Sequence, residues 1–479
     1  MRKTALICIP FILSGCSLTD ESTVPPPSLN DNFAYDERDA IPNDTPLPKP
    51  GINQRPVVGT KKMLVSVIKW QDGDILNKPL IERHTLSSDP DSLKSYILAA
   101  SHGKLTLAGQ VISYTSGPRP EQCKSGQPMP LSLATSEGRK AAEANGLNPG
   151  NFDYLINVID CGGAASAYMP GRIIGVYGQS ASPHVYKHEF GHSLGYSHGK
   201  TYTKCPQDGE TVRAPNECTT IGYGDTGDSV SGGGTLYPAN NRWYSGWLDQ
   251  SQSAVIERSG LYRLGVLGQG GPQLYRINRT GLTPSQIALE YRKPTIYDDF
   301  PPTDNRVNGV WVRFTTMGNN VSNIQLDATP ESATTVDPAM QPGRVLKDDT
   351  AGITVRVCTT SVDGATVAIA INGETSPPCP VIGLPLLPPG IQTPAFGAPA
   401  TPNPVTFQGT SIPGAKITLS YTMSSKNSKS SIETTTADAT GVWRITLPSL
   451  PPGIFNAGVI QEAGNSASLI NFRWFEVAR

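Results

Sequence analysis

The chain has 479 residues, which is enough for two to four domains. Lys and Arg number 39 against 40 Asp and Glu, a balance that gives no sign of a nucleic-acid binder. The 48 Gly and 43 Pro favour β-rich domains with many turns, and the 37% hydrophobic content excludes a chain that is disordered throughout. We therefore expect a multidomain protein that combines α/β and all-β domains.

The N-terminus predicts export. A short positive region precedes residues 5–13, an apolar stretch too short to span a bilayer as a helix. Leu13-Ser14-Gly15-Cys16 resembles a bacterial lipobox, which implies a signal peptide over residues 1–15 and a membrane anchor through lipid on Cys16. An ordinary signal peptide with a stray cysteine is the alternative. Ser17, where an aspartate would favour the inner membrane, favours the outer membrane of a bacterial cell envelope.

Six cysteines follow Cys16, and an even number in an exported chain predicts disulfides. Proximity in sequence favours three pairs, Cys123–Cys161, Cys205–Cys218 and Cys358–Cys379. Other pairings stay open, since connectivity cannot be deduced from sequence. A zinc–thiolate site is the rival interpretation, although the chain contains no Cys-x-x-Cys pair.

Residues 16–60 are rich in Pro, Asp, Asn and Ser and predict a flexible tether. Residues 61–250 alternate strand and helix patterns, which predicts an α/β domain. Its expected strands and helices lie at residues 63–68, 91–100, 131–145, 154–159 and 172–177. A further helix opens at Ser182-Pro183, with the serine as N-cap, and ends at Gly195. Residues 199–250 have little periodicity and predict long loops folded over a site.

The rest of the chain predicts β structure. Short apolar runs over residues 251–374 indicate a β-sandwich domain, and residues 375–404 predict a Pro-rich linker. Residues 405–479 alternate as in a small immunoglobulin-like sandwich. We expect its aromatic side chains to form a core rather than a glycan-binding platform: Trp443, Phe472, Trp474 and Phe475.

One segment carries the chemistry, His188-Glu189-Phe190-Gly191-His192 followed by Gly195 and His198. Residues four apart on a helix share a face, so His188 and His192 present two imidazoles to one ion. Gly195 allows the chain to turn sharply, so that His198 returns as a third ligand. Three neutral imidazoles leave one position open on a tetrahedral Zn²⁺ ion. Glu189 is placed to take a proton from a water molecule whose pKa the zinc lowers.

Two other interpretations of these three histidines are open. They could be surface histidines, or they could hold a metal without catalysis. His184 lies four residues before His188, but Val185 rather than a glutamate follows it, so we expect it beside the site or facing solvent. His84 and His102 lie outside any motif, and we expect them to be ordinary surface or hydrogen-bonded histidines.

The long motif resembles that of the metzincin zinc peptidases. Over residues 61–370 the chain is similar to gametolysin-like peptidases in five further segments: residues 101–109, Tyr223-Gly224-Asp225 with Asp228, residues 241–248 ending in Gly246-Trp247-Leu248, Leu289-Glu290-Tyr291-Arg292, and residues 326–343. The resemblance implies a metzincin-type catalytic domain with Zn²⁺ as cofactor. It implies His188, His192 and His198 as zinc ligands and Glu189 as general base.

The chain departs from the metzincin pattern at one place. Metzincins have a methionine in a turn beneath the zinc, and Val230 aligns with it here. Some metzincins also use a tyrosine near this turn to stabilise the transition state. The sequence does not choose among Tyr223, Tyr237 and Tyr244.

The first functional hypothesis is a membrane-anchored extracytoplasmic zinc endopeptidase that cleaves protein or glycoprotein substrates. The alternative is a catalytically impaired metzincin scaffold that acts as a surface binding or adhesion protein. A third possibility is a zinc hydrolase that acts on a non-peptide amide such as cell-wall material.

Overall fold

The computed structural model describes residues 57–124, 129–332, 334–379, 386–423, 430–464 and 466–478. The predicted signal peptide, Cys16 and residues 16–56 of the predicted tether lie outside this part of the chain. Most of the regular structure is β-strand, arranged in several sheets, in agreement with the expected multidomain β-rich fold. No helix within the described ranges is both long and apolar enough to cross a membrane.

The N-terminal half is built on a five-stranded sheet with the order β2-β1-β3-β5-β4. Four strands are parallel, and β4 pairs antiparallel with β5 at one end of the sheet. The strands are β1 (Gly59–Lys69), β2 (Leu105–Thr115), β3 (Tyr154–Ile159), β4 (Ala165–Ala167) and β5 (Ile173–Val176). Among the described residues the α-helices are α1 (Lys78–Thr85), α2 (Leu93–Ala100), α3 (Glu121–Lys124), α4 (Leu131–Ala144), α5 (Pro183–Ser193) and α6 (Ala239–Tyr244).

Helices cover both faces of this sheet because its central strands are apolar on both sides. Along β1, Val65 and Val67 pack into a core shared with α1, α2 and α5. Leu64 and Ile68, which point the opposite way, pack into a second core with α4. Helix α5 is therefore held against the sheet on the face opposite α4.

The predicted helices are confirmed with small shifts at their ends. Helix α2 begins after Ser92, whose side chain accepts a hydrogen bond from the Ser95 amide at 3.1 Å. Helix α4 is followed by Gly146 with φ +71°, as a C-terminal stop requires. Ser182 occupies the predicted N-cap position of α5, but its hydroxyl makes no capping hydrogen bond. Helix α1, capped by Asn77, was not predicted.

A two-sheet β-sandwich follows the α/β layer. One sheet has the order β10-β12-β13-β14-β15-β6-β9 and the other β11-β18-β17-β16-β8-β7. The strands are β6 (Lys200–Thr203), β7 (Gln207–Asp208), β8 (Thr211–Arg213), β9 (Thr219–Gly222), β10 (Ser253–Ile256), β11 (Gly260–Gly265), β12 (Leu274–Asn278), β13 (Gln286–Tyr291), β14 (Val310–Met317), β15 (Val321–Leu326), β16 (Val345–Asp348), β17 (Ile353–Ser361) and β18 (Gly364–Ala370). Their inward-facing Ile, Leu, Val and Phe side chains form one core.

Four strands of this sandwich come from residues 200–222, a region predicted to be loop. Strand β6 pairs in parallel with β15, with Lys200 opposite Ile324. Strand β8 pairs in parallel with β16, with Thr211 opposite Val345. Residues 200–222 therefore add strands to both sheets, and this part of the predicted α/β domain belongs to the sandwich.

The C-terminal region forms a second, smaller sandwich around its own core. Its strands are β19 (Gly390–Thr393), β20 (Thr406–Thr410), β21 (Lys416–Met423), β22 (Ser431–Thr436), β23 (Val442–Thr446), β24 (Gly453–Ala463), β25 (Ser466–Ala467) and β26 (Asn471–Val477). Strand β19 lies within the predicted linker. The core prediction is confirmed for Trp443 and Phe475, but it is wrong for Phe472 and Trp474, which are 60% and 43% exposed because they point to the outer face of β26.

All three predicted disulfides are present, Cys123–Cys161, Cys205–Cys218 and Cys358–Cys379. Cys205–Cys218 lies just beyond the paired ends of β6 and β9, where Thr203 is opposite Thr219. It therefore closes the two-stranded ribbon that these strands form.

We predict that residues 57–250 do not fold alone. Such a fragment lacks β15 and β16, the partners of β6 and β8, and leaves sheet edges and apolar side chains exposed. Differential scanning calorimetry should show no cooperative transition for fragment 57–250. Fragment 57–379, which keeps both sheets and the third disulfide, is the control and should unfold cooperatively. Cooperative melting of fragment 57–250 at the temperature of the longer fragment would contradict this account.

Candidate metal centre

Helix α5 supplies the first two histidines. His188 and His192 are one turn apart, with ring centroids 4.9 Å from each other. Gly191, between them, lies where a Cβ atom would meet Val230 Cγ2 at 2.3 Å, so only glycine fits this turn of the helix. The helix ends at Ser193, and two residues later Gly195, with φ +91°, makes the turn that the sequence predicts.

The third histidine is placed by the β-sandwich. After Gly195 the chain runs beside β15: the Val321 amide donates to the Gly195 carbonyl and the Ser197 amide to the Val321 carbonyl, both at 2.8 Å. This pairing continues into β6. His198 lies between the two paired stretches, and its Nε2 atom is 3.0 Å from that of His192 and 3.2 Å from that of His188.

The imidazoles are oriented by backbone carbonyls. Nδ1 of His188 lies 3.0 Å from the Ser229 carbonyl oxygen, and Nδ1 of His192 lies 2.7 Å from that of Tyr196. A carbonyl can only accept, so each Nδ1 carries the proton and each Nε2 keeps a lone pair. Burial, with the neighbouring rings, lowers the pKa of His188 to about 3 and the pKa values of His192 and His198 to about 4.

These residues fit a metal ion. One ligand nitrogen from each of the three histidines lies within 4.8 Å of the other two. A tetrahedral zinc site with Zn–N distances of about 2.0–2.1 Å separates its nitrogen ligands by roughly 3.4 Å, close to the observed spacings. Neutral imidazoles with carbonyl partners on Nδ1 are the form in which histidine binds metals.

Glu189 stands next to this group on α5. Its carboxylate is buried, and Oε2 has no hydrogen-bond partner among the described residues. Burial raises the pKa of Glu189 to about 8, whereas a cation close by would favour the charged form. A buried carboxylate without a protein partner is unusual outside functional sites, which agrees with the role that the sequence predicts for it.

A turn over residues 228–231 lies beneath the histidines. Its fully buried Val230 packs against Gly191. The Val230 carbonyl accepts from the Gly199 amide at 3.3 Å, and the Ser231 hydroxyl donates to the Gly199 carbonyl at 2.8 Å. The turn therefore contacts helix α5 and the residue after His198, and a valine side chain fills the space under the helix.

The structure separates the three candidate tyrosines. Tyr237 is buried and donates to the Lys187 carbonyl at 2.5 Å, and Tyr244 donates to the Asn319 carbonyl at 2.5 Å. Tyr223 is 50% exposed, and its Oη lies 3.0 Å from Nε2 of His198. Of the three, Tyr223 is the one beside the metal-binding atoms.

The remaining histidines lie apart from the group of three. His184 is half-buried one turn before His188, with ring centroids 5.8 Å apart. His102 lies 3.3 Å from the guanidinium of Arg242. His84 is buried near the ring of Tyr186.

Sequence reasoning missed the groups that orient the ligands. The carbonyls of Ser229 and Tyr196 carry no sequence signal, since any residue has a carbonyl. A buried ion-pair network beneath the turn was also missed, although Leu289-Glu290-Tyr291-Arg292 belongs to it. Two charged residues, Glu290 and Arg292, at the end of an apolar run were the available signal.

No family model matches the chain, and no curated protein matches it. Among solved structures it is similar to a chain from "Structure of a chaperone-substrate complex" (14% identity, 30% of this chain and 24% of that one, TM-score 0.21). It is also similar to wild-type OgpA from Akkermansia muciniphila (8% identity, 91% and 95%, TM-score 0.24) and to "Structure of Protease" (10% identity, 87% and 97%, TM-score 0.14). At these TM-scores the likenesses support no conclusion about function.

We predict that the full chain binds one zinc ion through these imidazoles. His192→Ala removes a ligand and should weaken zinc binding by more than about 100-fold, since even groups that only orient a ligand change affinity about 10–100-fold. His184→Ala, a matched change one turn outside the group, should leave zinc bound. Competition with a chelator, followed by metal analysis, measures both. Equal zinc loss in the two variants would contradict the assignment.

Proposed function

We propose that this protein is an extracytoplasmic zinc endopeptidase. The observation that carries the proposal is a group of three histidines whose ligand nitrogens lie within 4.8 Å of one another, next to the buried Glu189, whose Oε2 has no hydrogen-bond partner among the described residues. His188, His192 and His198 would hold the zinc ion, and Glu189 would act on the attacking water.

The zinc ion would supply Lewis-acid chemistry, lowering the pKa of water towards about 7 and polarising the scissile carbonyl. Glu189 would accept the proton of the attacking water and return it to the nitrogen of the leaving amine. Its buried surroundings suit this task, because a carboxylate whose pKa is raised by burial is a stronger base than one in water and accepts the proton more readily.

Tyr223 would stabilise the oxyanion that forms on the attacked carbonyl. Its phenol lies 3.0 Å from the His198 Nε2 atom and is half exposed, so it can leave this contact for a substrate oxygen. A preorganised hydroxyl donor at such an oxygen lowers the barrier because the charge is largest in the transition state.

An extended polypeptide is the substrate that suits the surroundings of the site. Strand β4 pairs with β5 at the end of its sheet and packs against α5. Its other edge offers backbone groups to which an extended chain can add as a strand. This supports cleavage of a protein or glycoprotein rather than of a small amide.

Export and lipid attachment at Cys16 belong to the same proposal. The three disulfides support a location outside the cytoplasm, since such bonds persist in oxidising compartments. The lipobox-like segment supports an anchor in the cell envelope, from which the chain that precedes β1 would connect the lipid to the catalytic part.

The second candidate is an adhesion protein on a catalytically impaired scaffold. The observation that favours it is a group of exposed aromatic side chains on the C-terminal sandwich, Phe396, Phe472 and Trp474. The Phe396 and Trp474 rings are 6.3 Å apart, and exposed aromatic groups of this kind mark binding surfaces. Zinc binding without cleavage of any protein substrate would favour this candidate.

We predict that Glu189→Gln lowers kcat/KM by about 10²–10⁴-fold while zinc stays bound, because the amide cannot accept a proton. Cleavage should be followed on a panel of unfolded and glycosylated proteins. Glu257→Gln makes the same chemical change at an exposed position and is the control. Equal cleavage by wild type and Glu189→Gln would refute the proposed mechanism.

We predict that Tyr223→Phe lowers kcat by about 10²–10³-fold with little change in KM, the loss typical of one oxyanion donor. Zinc content and thermal stability should stay at wild-type values, because the side chain is half exposed. Steady-state kinetics on the panel protein that wild type cleaves fastest measures kcat and KM separately. An unchanged kcat would assign the phenol no part in the reaction.

A further inference from the structure

We infer that a buried ion-pair network in the β-sandwich positions the turn beneath the metal centre, and that Glu290 is its central positioning residue. The inference rests on the proposed function, because it names residues that hold the same site. None of these residues touches the three imidazoles, so their effect has to pass through the turn.

Glu290 uses both carboxylate oxygens. Oε1 accepts from Arg292 Nε at 2.8 Å and from Arg313 Nη1 at 2.6 Å. Oε2 accepts from the Ala239 amide, the first residue of α6, at 2.5 Å. Glu290 and Arg313 lie on the neighbouring strands β13 and β14, so the sheet itself fixes their relative positions.

The two guanidinium groups reach from the sheet to the chain that follows Tyr223. Arg313 binds both oxygens of Asp225, at 2.6 and 3.0 Å. Arg292 donates to the Gly227 carbonyl at 2.8 Å and to the Leu236 carbonyl at 3.2 Å. The segment 225–239 is thereby attached to the sandwich on both sides of the turn. The attachment points are Asp225 and Gly227 before it and Leu236 and Ala239 after it.

Asp298 adds a second connection to the segment after the turn. It accepts from Arg292 Nη1 and from the Leu236 amide, both at 3.0 Å. The backbone of Leu236 is thus bound at both its amide and its carbonyl.

The attached segment contacts the metal centre at three places. The Ser229 carbonyl fixes the His188 ring, and Val230 packs against helix α5 at Gly191. The Val230 carbonyl binds the amide of Gly199, next to His198. A shift of the turn would therefore move an accepting carbonyl away from one ligand and loosen the chain beside another.

Ion pairs between side chains that are buried away from water hold the network together. Glu290, Arg292 and Arg313 are each at most 2% exposed. Burial alone would raise the pKa of Glu290, but Arg292 and Arg313 outweigh it and lower the pKa to about 2. Buried guanidinium groups need such partners, because an unpaired charge away from water is strongly unfavourable. Removing the charge of Glu290 leaves two arginines without their common partner.

The test compares Glu290→Gln with Asp348→Asn in the full chain. Both changes replace a buried carboxylate by an amide of the same shape. Asp348 pairs with Arg279 at 2.5 Å in the same sandwich, and its other hydrogen bond goes to the Ala351 amide rather than to the turn. The control therefore loses a buried ion pair of the same kind away from the metal centre.

Two measurements separate positioning from general stability. Chelator competition gives the zinc affinity, which should fall about 10–100-fold in Glu290→Gln and stay unchanged in Asp348→Asn. Hydrogen exchange of the metal-free protein should speed up over residues 225–239 in Glu290→Gln alone. Equal behaviour of the two variants in both measurements would overturn the inference. Absence of zinc binding by wild type would refute the proposed function, and hydrogen exchange would still decide whether the network holds the turn.

Discussion

The geometry of the metal centre depends on the pairing between residues 195–202 and strand β15. The two stretches are about 120 residues apart in sequence, and their hydrogen bonds decide where His198 lies relative to helix α5. Two imidazoles on a helix are fixed by the helix alone, but the third ligand is fixed only when the sandwich has formed. The geometry of the three ligands therefore depends on the folding of the sandwich. The centre should be rigid, because helix α5 and strand β15, which hold the ligands, both belong to packed cores.

Local features of the sequence predicted much of the fold. Apolar runs located β1, β3 and β5, a glycine stop ended α4, and the three disulfides joined cysteines close in sequence. The strands at residues 200–222 were missed because they are two to four residues long and show no clear alternation. They are stabilised by partners far along the chain, which periodicity does not report. Phe472 and Trp474 were assigned to the core because composition does not tell which face of a strand is covered.

The residues of the candidate site were likewise predicted only in part. Helical spacing and a glycine with positive φ predicted the histidine group and Glu189, since the signal lies within eleven letters. Tyr223 could not be chosen over Tyr237 and Tyr244, because only the tertiary fold shows which phenol is buried. Val230 aligns with the methionine of the metzincin pattern. Its short, β-branched side chain packs against Gly191, a position at which a Cβ atom has no room. The similarity to gametolysin-like peptidases stays a prediction.

X-ray absorption spectroscopy at the zinc edge tests the central claim most directly, because it counts the ligands without requiring a substrate. The zinc-loaded full chain should show three imidazole nitrogens at about 2.0–2.1 Å together with one or two light oxygen ligands. Substituting His198 should remove one imidazole from this first shell. A shell that contains sulfur, or that holds fewer than three imidazoles in the unsubstituted chain, would contradict a zinc site assembled from helix α5 and the β15-paired segment.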